Sequence, residues 1–326
     1  MQPSTVKNKV VGIDISYDKT TYAVVDVRGT IITRDDFPTT NYPDVIKYVA
    51  ELSRRIINIT EACGGYDTIR SIGISAPSAS FLTGSIENPP NLLWKGVIPL
   101  AALLRDRLGM AVAVGNDAHV TALGESAYGG AHGMQNFVII ALGNGVGSCF
   151  FSHGSAHLGY DGYAGEFGHT TILPGGRTCG CGKKGCLEAY LGAKGITQTA
   201  RELLEASDKP SLMREFERLS PHIITQCCEE GDELAIETYR KSGYILGVAA
   251  ANYASLIDPE AIIFTGGVAN ASKWLLEPAH EAFEEHIFYN LKGKVKFMRS
   301  TIDDRERDVL GASALAWCIP EYSLFK

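Results

Sequence analysis

The sequence predicts an α/β protein of two lobes. A chain of 326 residues exceeds what one small core holds and suits two units of ordinary size. A run of strands followed by alternating helix and strand passes through the first part of the chain and then starts again, a duplication of architecture rather than of residues. Elements in that order pack as layered α/β lobes, with ligands expected beyond the carboxyl ends of the strands. No low-complexity segment or evident linker interrupts the pattern.

The elements follow from local signals. Val10 to Ile15 is a buried apolar run, and Tyr22 to Val27 and Thr30 to Asp36 read as strands around an Arg28-Gly29 turn. Residues 44–63 read as a helix, with Val45, Val49, Leu52, Ile56 and Ile57 at helical spacing and Asp44 after Pro43 as its cap. Ile69 to Ser75 is a strand, Ile98 to Leu108 a helix, and Ala111 to Val114 a strand. The second round has strands at Phe137 to Leu142 and Ser148 to Ser152. Helices follow at Lys194 to Ala206, Glu233 to Leu256 and Ser272 to His286, with a strand at Ala261 to Phe264 between the last two. A strand at Val295 to Met298 and a helix at Asp308 to Trp317 close the chain.

Composition narrows the functions. Hydrophobic residues make up 45% and charged residues 21%, the balance of a soluble globular protein. The formal net charge of -7 lacks the basic face that non-specific nucleic-acid binding needs, so no nucleic-acid partner is expected. No apolar run approaches the roughly 20 residues that span a membrane. The opening MQPSTVKNKV has no apolar core and gives no secretion signal. The expected location is the cytoplasm, where the eight cysteines stay reduced.

Three of those cysteines crowd into TCGCGKKGC. Cys179, Cys181 and Cys186, with His169 before them, supply three thiolates and an imidazole, which is a closed tetrahedral shell for structural zinc. A glycine-rich, charged segment has little apolar surface, so a metal would order it; the competing reading is a loop of free thiols. Cys227 and Cys228 fall in a helical pattern and are expected to pack. The turn Gly143-Asn144-Gly145-Val146-Gly147 joins two strands and offers backbone N–H groups to an anion, or is a structural hairpin. Gly115-Asn116-Asp117 follows a strand. Asp117 is placed to accept a hydroxyl proton in phosphoryl transfer, or to cap a helix.

Together these segments resemble the ROK family, which groups bacterial sugar kinases with sugar-responsive repressors. The signature-like stretch is Gly165-Glu166-Phe167-Gly168-His169, followed by Cys179-Gly180-Cys181-Gly182-Lys183-Lys184-Gly185-Cys186-Leu187-Glu188. Gly115-Asn116-Asp117-Ala118 resembles the family's catalytic segment. Leu142 to Gly147 resembles its second phosphate loop, with Asn144 where threonine is usual. Pro90-Asn91-Leu92 and Trp94-Lys95-Gly96-Val97 resemble its sugar loop. Gly231-Asp232-Glu233 resembles a later helix start, and Thr265-Gly266-Gly267-Val268 the adenosine-side loop. The similarity covers nearly the whole chain and is strongest to the family's glucokinases.

The resemblance implies an actin-like (hexokinase/Hsp70-type) two-lobe fold with duplicated βββαβα units and an inserted zinc loop. The expected division is a small lobe of residues 1–118 plus 305–326 and a larger lobe of residues 119–304, with the zinc loop at 169–186. Lobes of that kind close on substrate and exclude water. Asp117 is implied as general base, in contact with the sugar together with Asn91, Asn116, Glu166, His169 and Glu188. Their mixed donors and acceptors suit hydroxyls, and His169 binds zinc through its other nitrogen. Asp14, Lys19, Thr20, Gly143, Asn144, Gly145 and Gly147 are implied on the phosphates, Gly266 and Gly267 on the adenosine side. The implied ligands are a hexose or N-acetylhexosamine, ATP with Mg2+, and structural Zn2+, in a homodimer.

Two departures stand out. The family's kinases open with Asp-hydrophobic-Gly-Gly-Thr-Lys, whereas this chain has Asp14-Ile15-Ser16-Tyr17-Asp18-Lys19-Thr20-Thr21. In one register Lys19 takes the lysine place and Asp18 the threonine place; in another, Thr20 keeps the threonine. Tyrosine adopts positive φ less cheaply than glycine. Ser78-Ala79-Ser80 follows Ala76-Pro77 where the family carries Gly or Asn. The expected activity is therefore an ATP-dependent hexose kinase, with a catalytically impaired sugar sensor as the alternative. A start of the first strand by Val10 leaves no space ahead of it for the repressors' DNA-binding domain.

Overall fold

The computed structural model describes residues 6–319. Residues 1–5 and 320–326 lie outside it, and with them the start of the N-terminal segment and the end of the lobe expected at 305–326. The chain divides into two compact units. One runs up to Gly133 and adds Leu158–Gly162 and the chain from Thr301; the other is Met134–His157 with Tyr163–Ser300. The expected division at residue 118 would cut a helix that packs within the first unit.

The first unit begins with β1 (Lys9–Ile15), β2 (Lys19–Asp26) and β3 (Ile31–Pro38). Val10, Val11, Ile13 and Ile15 are buried, so both faces of β1 are covered, as its continuous apolar run requires. Helix α1 (Val45–Glu61) is capped by Asp44, whose carboxylate accepts from the Lys47 N–H at 2.9 Å. Its buried stripe passes through Tyr48, Val49, Leu52, Ile56 and Ile59, while Ile57 faces out. Then come β4 (Ile69–Ser75), the short β5 (Ala79–Ser80), β6 (Ser85–Glu87) and β7 (Val97–Ile98), helix α2 (Leu100–Leu108), β8 (Ala111–Gly115) and helix α3 (Asp117–Tyr128). The helix expected from Ile98 starts at Leu100, because Ile98 pairs with Ile86 in the small β5-β6-β7 sheet. The main sheet has the order β3-β2-β1-β4-β8.

The second unit holds β9 (Phe137–Leu142), β10 (Val146–Ser152), β11 (Ser155–Ala156), α4 (Glu188–Leu191), α5 (Ala193–Glu205), α6 (Pro221–Glu229), α7 (Glu233–Ile257), β12 (Ala261–Thr265), α8 (Lys273–His286) and β13 (Lys296–Arg299). Its sheet order, β11-β10-β9-β12-β13, repeats that of the first unit. In each sheet the founding strand pairs antiparallel with the next strand on one side and parallel on the other. Asp232 caps α7 through the N–H groups of Leu234 and Ala235 and also accepts from Ser211 and Leu212. Cys227 and Cys228 are buried on α6, as expected for packing residues. Among the described residues no helix is long and apolar enough to cross a membrane.

Helix α9 (Arg307–Cys318) returns to the first unit and lies on β1 and β4. The approach depends on glycine. A Cβ at Gly73 would stand 2.0 Å from the Ala312 carbonyl oxygen and 2.7 Å from the Ala316 nitrogen. Both are backbone atoms held by their own helix, so neither yields cheaply. Gly73→Ala is expected to cost about 3 kcal/mol or more, the upper end of overpacking effects, read as a lowered denaturant midpoint.

Candidate functional site

Strands β1, β4 and β8 run parallel and end side by side: Asp14 pairs with Ser75, and Ser75 with Gly115. The next residue, Asn116, is the cap of α3, its Oδ1 accepting from the His119 N–H at 3.0 Å. Asp117 is therefore the first helical residue, not the cap, and its carboxylate is released from capping. That removes the capping role from Asp117. Asp117 reaches solvent, yet the surrounding protein raises its pKa, first by desolvation and then through Asp308; its own backbone N–H and Arg307 oppose this. Asp14 is pushed up to about 8 by burial, with Asp308 and Asp117 adding to it and Ser75 and Arg307 pulling down. The Ser75 hydroxyl is buried beside Asp14 without a hydrogen bond of ordinary geometry. His119 is kept neutral by burial, its pKa lowered to about 4.

The turn between β1 and β2 has a single register. Ser16 N–H donates to the Lys19 carbonyl at 3.0 Å, and Ile15 pairs with Thr20. Lys19 is exposed at the end of the turn. Thr20 is fully buried, its hydroxyl 2.9 Å from that of Thr39 and 2.8 Å from that of Tyr48. The expectation that Thr20 meets phosphate is corrected: its side chain points into the core. Ser16, Tyr17 and Asp18 are not among the residues with positive φ, so the turn forms without the glycine conformation. Ser16 Oγ donates to Asp18 Oδ1 at 2.8 Å, which, with the Asp18 and Lys19 N–H groups, holds the Asp18 carboxylate below its usual range.

Asn91 lies on an exposed turn pinned from beneath by Leu92 and Trp94, both buried, with Trp94 Nε1 donating to the Tyr42 carbonyl at 3.0 Å. Ser78 has φ 55, a conformation that favours glycine or asparagine, the residues usual in the resembled family.

In the second unit, the turn after β9 and the loop after β12 leave the same sheet edge, since Ala141 pairs with Thr265 in parallel. Gly143, Asn144 and Gly145 sit in one and Gly266 and Gly267 in the other. Gly147 instead lies within β10 opposite Ala141, so it is a strand residue rather than part of the anion loop. The Gly143 N–H donates to the Gly145 carbonyl at 3.0 Å and the Val146 N–H to Glu188 Oε2 at 3.1 Å, which leaves the Asn144 and Gly145 N–H groups to an anion. A Cβ at Gly145 would lie 2.5 Å from Glu188 Oε2 and would displace that carboxylate. Glu188 accepts from Cys179 Sγ at 3.5 Å through its other oxygen. It thereby ties the glycine turn to the cysteine loop, a link that no sequence signal announced.

Ser148 holds the segment before that loop. Its hydroxyl donates to the Gly165 carbonyl and accepts from the Phe167 N–H. His169 follows, with Nδ1 at 3.6 Å from Cys179 Sγ and Nε2 at 4.0 Å from Glu166 Oε2. One ring nitrogen faces the cysteines and the other a carboxylate. Cys181 and Cys186 sulfurs are 3.7 Å apart, and donor atoms of His169, Cys179, Cys181 and Cys186 lie within 4.8 Å of one another. A tetrahedral ion with metal–sulfur bonds of about 2.3 Å needs sulfurs roughly 3.8 Å apart, so this donor set fits one metal ion. Burial pushes the Cys179 thiol up to about 12 and raises that of Cys186; a bound cation would reverse both shifts.

Arg307 and Asp308, at the start of α9, join Asp14 and Asp117 at the strand ends. Sequence reasoning passed over both, because nothing local distinguishes them from other exposed charges before a helix.

Comparison with known proteins agrees with this arrangement. The ROK family model matches residues 10–318. A glucokinase of Halalkalibacterium halodurans is 30% identical over 314 residues, which are 94% of this chain and 94% of that protein. A ROK family glucokinase of Streptomyces griseus, solved with glucose and AMPPNP, is 26% identical with a TM-score of 0.76 over 95% of this chain and 99% of that one. A ROK hexokinase of Thermus thermophilus is 25% identical with a TM-score of 0.80, covering 95% and 98%.

Proposed function

We propose a function on a plain premise: the chain belongs to the ROK family. It is a sugar kinase with the actin-like fold of that family. The reaction is transfer of the γ-phosphoryl group of ATP to a hexose hydroxyl, with glucose the first candidate. The observation that carries this reading is the freedom of the Asp117 carboxylate, released by the Asn116 cap at the end of the central parallel strands. Such a carboxylate orients the sugar hydroxyl and accepts its proton as the phosphoryl group arrives. Asn91, Asn116, Glu166, His169 and Glu188 are assigned to sugar hydroxyls. His169 gives Nδ1 to zinc and keeps Nε2 for the sugar, and Cys179, Cys181 and Cys186 complete the metal shell. Lys19, Asp14, and the Asn144 and Gly145 N–H groups are assigned to phosphates, and the Gly266-Gly267 loop to the adenosine side. Mg2+ arrives with ATP and offsets charge on its phosphates. The expected setting is the cytoplasm.

A coupled ADP-release assay over glucose, N-acetylglucosamine, N-acetylmannosamine, mannose, fructose and allose tests this. Turnover with at least one supports it; none with any of them sinks it.

The sensor alternative draws on one observation, the Asp18 carboxylate at the tip of the phosphate-side turn. As a kinase, the protein tolerates that charge at some cost in nucleotide affinity. Asp18→Asn is expected to lower the KM for Mg–ATP about fivefold, the worth of one nearby like charge in water, with the sugar KM unchanged. Unchanged nucleotide affinity would mean that phosphates do not approach this turn.

A further inference from the structure

We propose that Arg307 and Asp308 are positioning residues for the phosphoryl transfer, acting on Asp117 by charge across the seam where α3 and α9 pack. The inference rests on the kinase reading and adds to it a pair of residues from the far end of the chain.

The seam is built for close approach. A Cβ at Gly311 would lie 2.4 Å from the Val120 carbonyl oxygen, and one at Gly124 would lie 3.2 Å from the Gly311 nitrogen. The two helices therefore touch backbone to backbone at this crossing. Asp117 stands three residues before Val120 and Asp308 three before Gly311, each close to one turn of about 3.6 residues. Both carboxylates are thus in the first turn of their helix, at the sheet edge where β1, β4 and β8 end. A helix N-terminus is where an anion is tolerated best, and here two such termini are neighbours.

Arg307 fixes Asp308 in place. Its Nε donates to Asp308 Oδ1 at 2.9 Å and its Nη2 to Oδ2 at 3.3 Å, while Nη1 reaches Asp304 Oδ1 at 2.9 Å. The Arg307 side chain is 18% exposed and that of Asp308 32%, so the pair is partly withdrawn from water. The charged and titratable groups acting on Asp117 are Asp308 and Arg307 on α9, with Asp304 held by Arg307 and Asp14 on β1 subject to the same charges. The Ser75 hydroxyl on β4 acts on Asp14, and β8 carries no charge.

The two residues act in opposite directions. The Asp308 charge makes Asp117 harder to ionise and hence a stronger base. Arg307 limits that effect, so that the carboxylate is still ionised near the working pH. Loss of packing alone would not move the Asp117 midpoint in opposite directions in the two variants.

The test follows the Asp117 carboxyl carbon by NMR in protein labelled at the aspartate carboxyls, with Asp117→Asn identifying the signal. In Asp308→Asn the midpoint is expected at lower pH and in Arg307→Met at higher pH, each by about tenfold in proton affinity, the low end for a neighbouring charge. The acid limb of kcat/KM should move in the same directions. Midpoints equal to wild type in both variants would overturn the proposal. Asp308→Asn is nearly isosteric, so that arm stands even if Arg307→Met folds poorly. The titration needs no turnover. Failure of every sugar assay would remove the kinase reading, whereas normal turnover with unmoved midpoints would remove this one alone.

Discussion

Asp117→Asn lowers the phosphorylation rate by about 10²- to 10⁴-fold, the usual worth of a positioned general base, and leaves sugar affinity and bound metal close to wild type. The change removes a charge and almost no volume. The cap of α3 is Asn116, not Asp117, so the helix start survives. Asn can still donate or accept a hydrogen bond with a sugar hydroxyl, but it cannot take its proton. Burial and the Asp308 charge both disfavour the ionised Asp117 carboxylate, so the substitution relieves that cost. The melting temperature should stay level or rise, the pattern of a residue kept for activity at some cost in stability. A coupled rate assay with differential scanning fluorimetry reads both effects. A rate within tenfold of wild type would place the base elsewhere.

Much of this was legible along the chain. Continuous apolar runs such as Ile69 to Ser75 and Phe137 to Leu142 are strands with the expected ends, because both faces of a central strand demand burial. Asp44 is the cap its place after Pro43 suggested. Elements of two or three residues, such as Ala79–Ser80 and Val97–Ile98, are too short for any period to show. The β1–β2 turn allowed two registers on paper. The buried bonds of Thr20 to Thr39 and Tyr48 turn its hydroxyl into the core, and they depend on residues far away in sequence. For Asn116 and Asp117 the local pattern was ambiguous by nature, since both are good caps and adjacent. Only backbone geometry separates them. Asp308 stands about 190 residues from Asp117, and the two are brought together by glycine contacts that no local pattern encodes.

The metal loop should show the largest structural effect. Cys186→Ser is expected to empty the site, reduce bound zinc from one per chain to background, and weaken sugar binding by tenfold or more, the scale on which residues supporting a metal site act. The loop has anchors of its own. Arg177 bonds to the carbonyls of Ala189 and Gly195 and to Thr199 and Glu202, and Thr171 bridges to Cys186. These hold its base on α4 and α5 without the ion. They do not hold the tip, where Cys179, Cys181 and the glycines around them bury little apolar surface. Once the tip loosens, His169 loses the partner of Nδ1, and its ring is no longer fixed with Nε2 toward Glu166. Glu188 stands two residues beyond Cys186 and accepts from the Val146 N–H, so a loosened loop disturbs it as well. Two assigned sugar contacts and the glycine turn should therefore fail together, although neither ring nor turn is itself changed. Atomic emission of the purified protein and calorimetric titration with glucose, or with whichever sugar is turned over, measure the outcome. A variant that keeps both stoichiometric zinc and full sugar affinity would show that the four residues do not share one ion, and the cysteines would then be no more than packing.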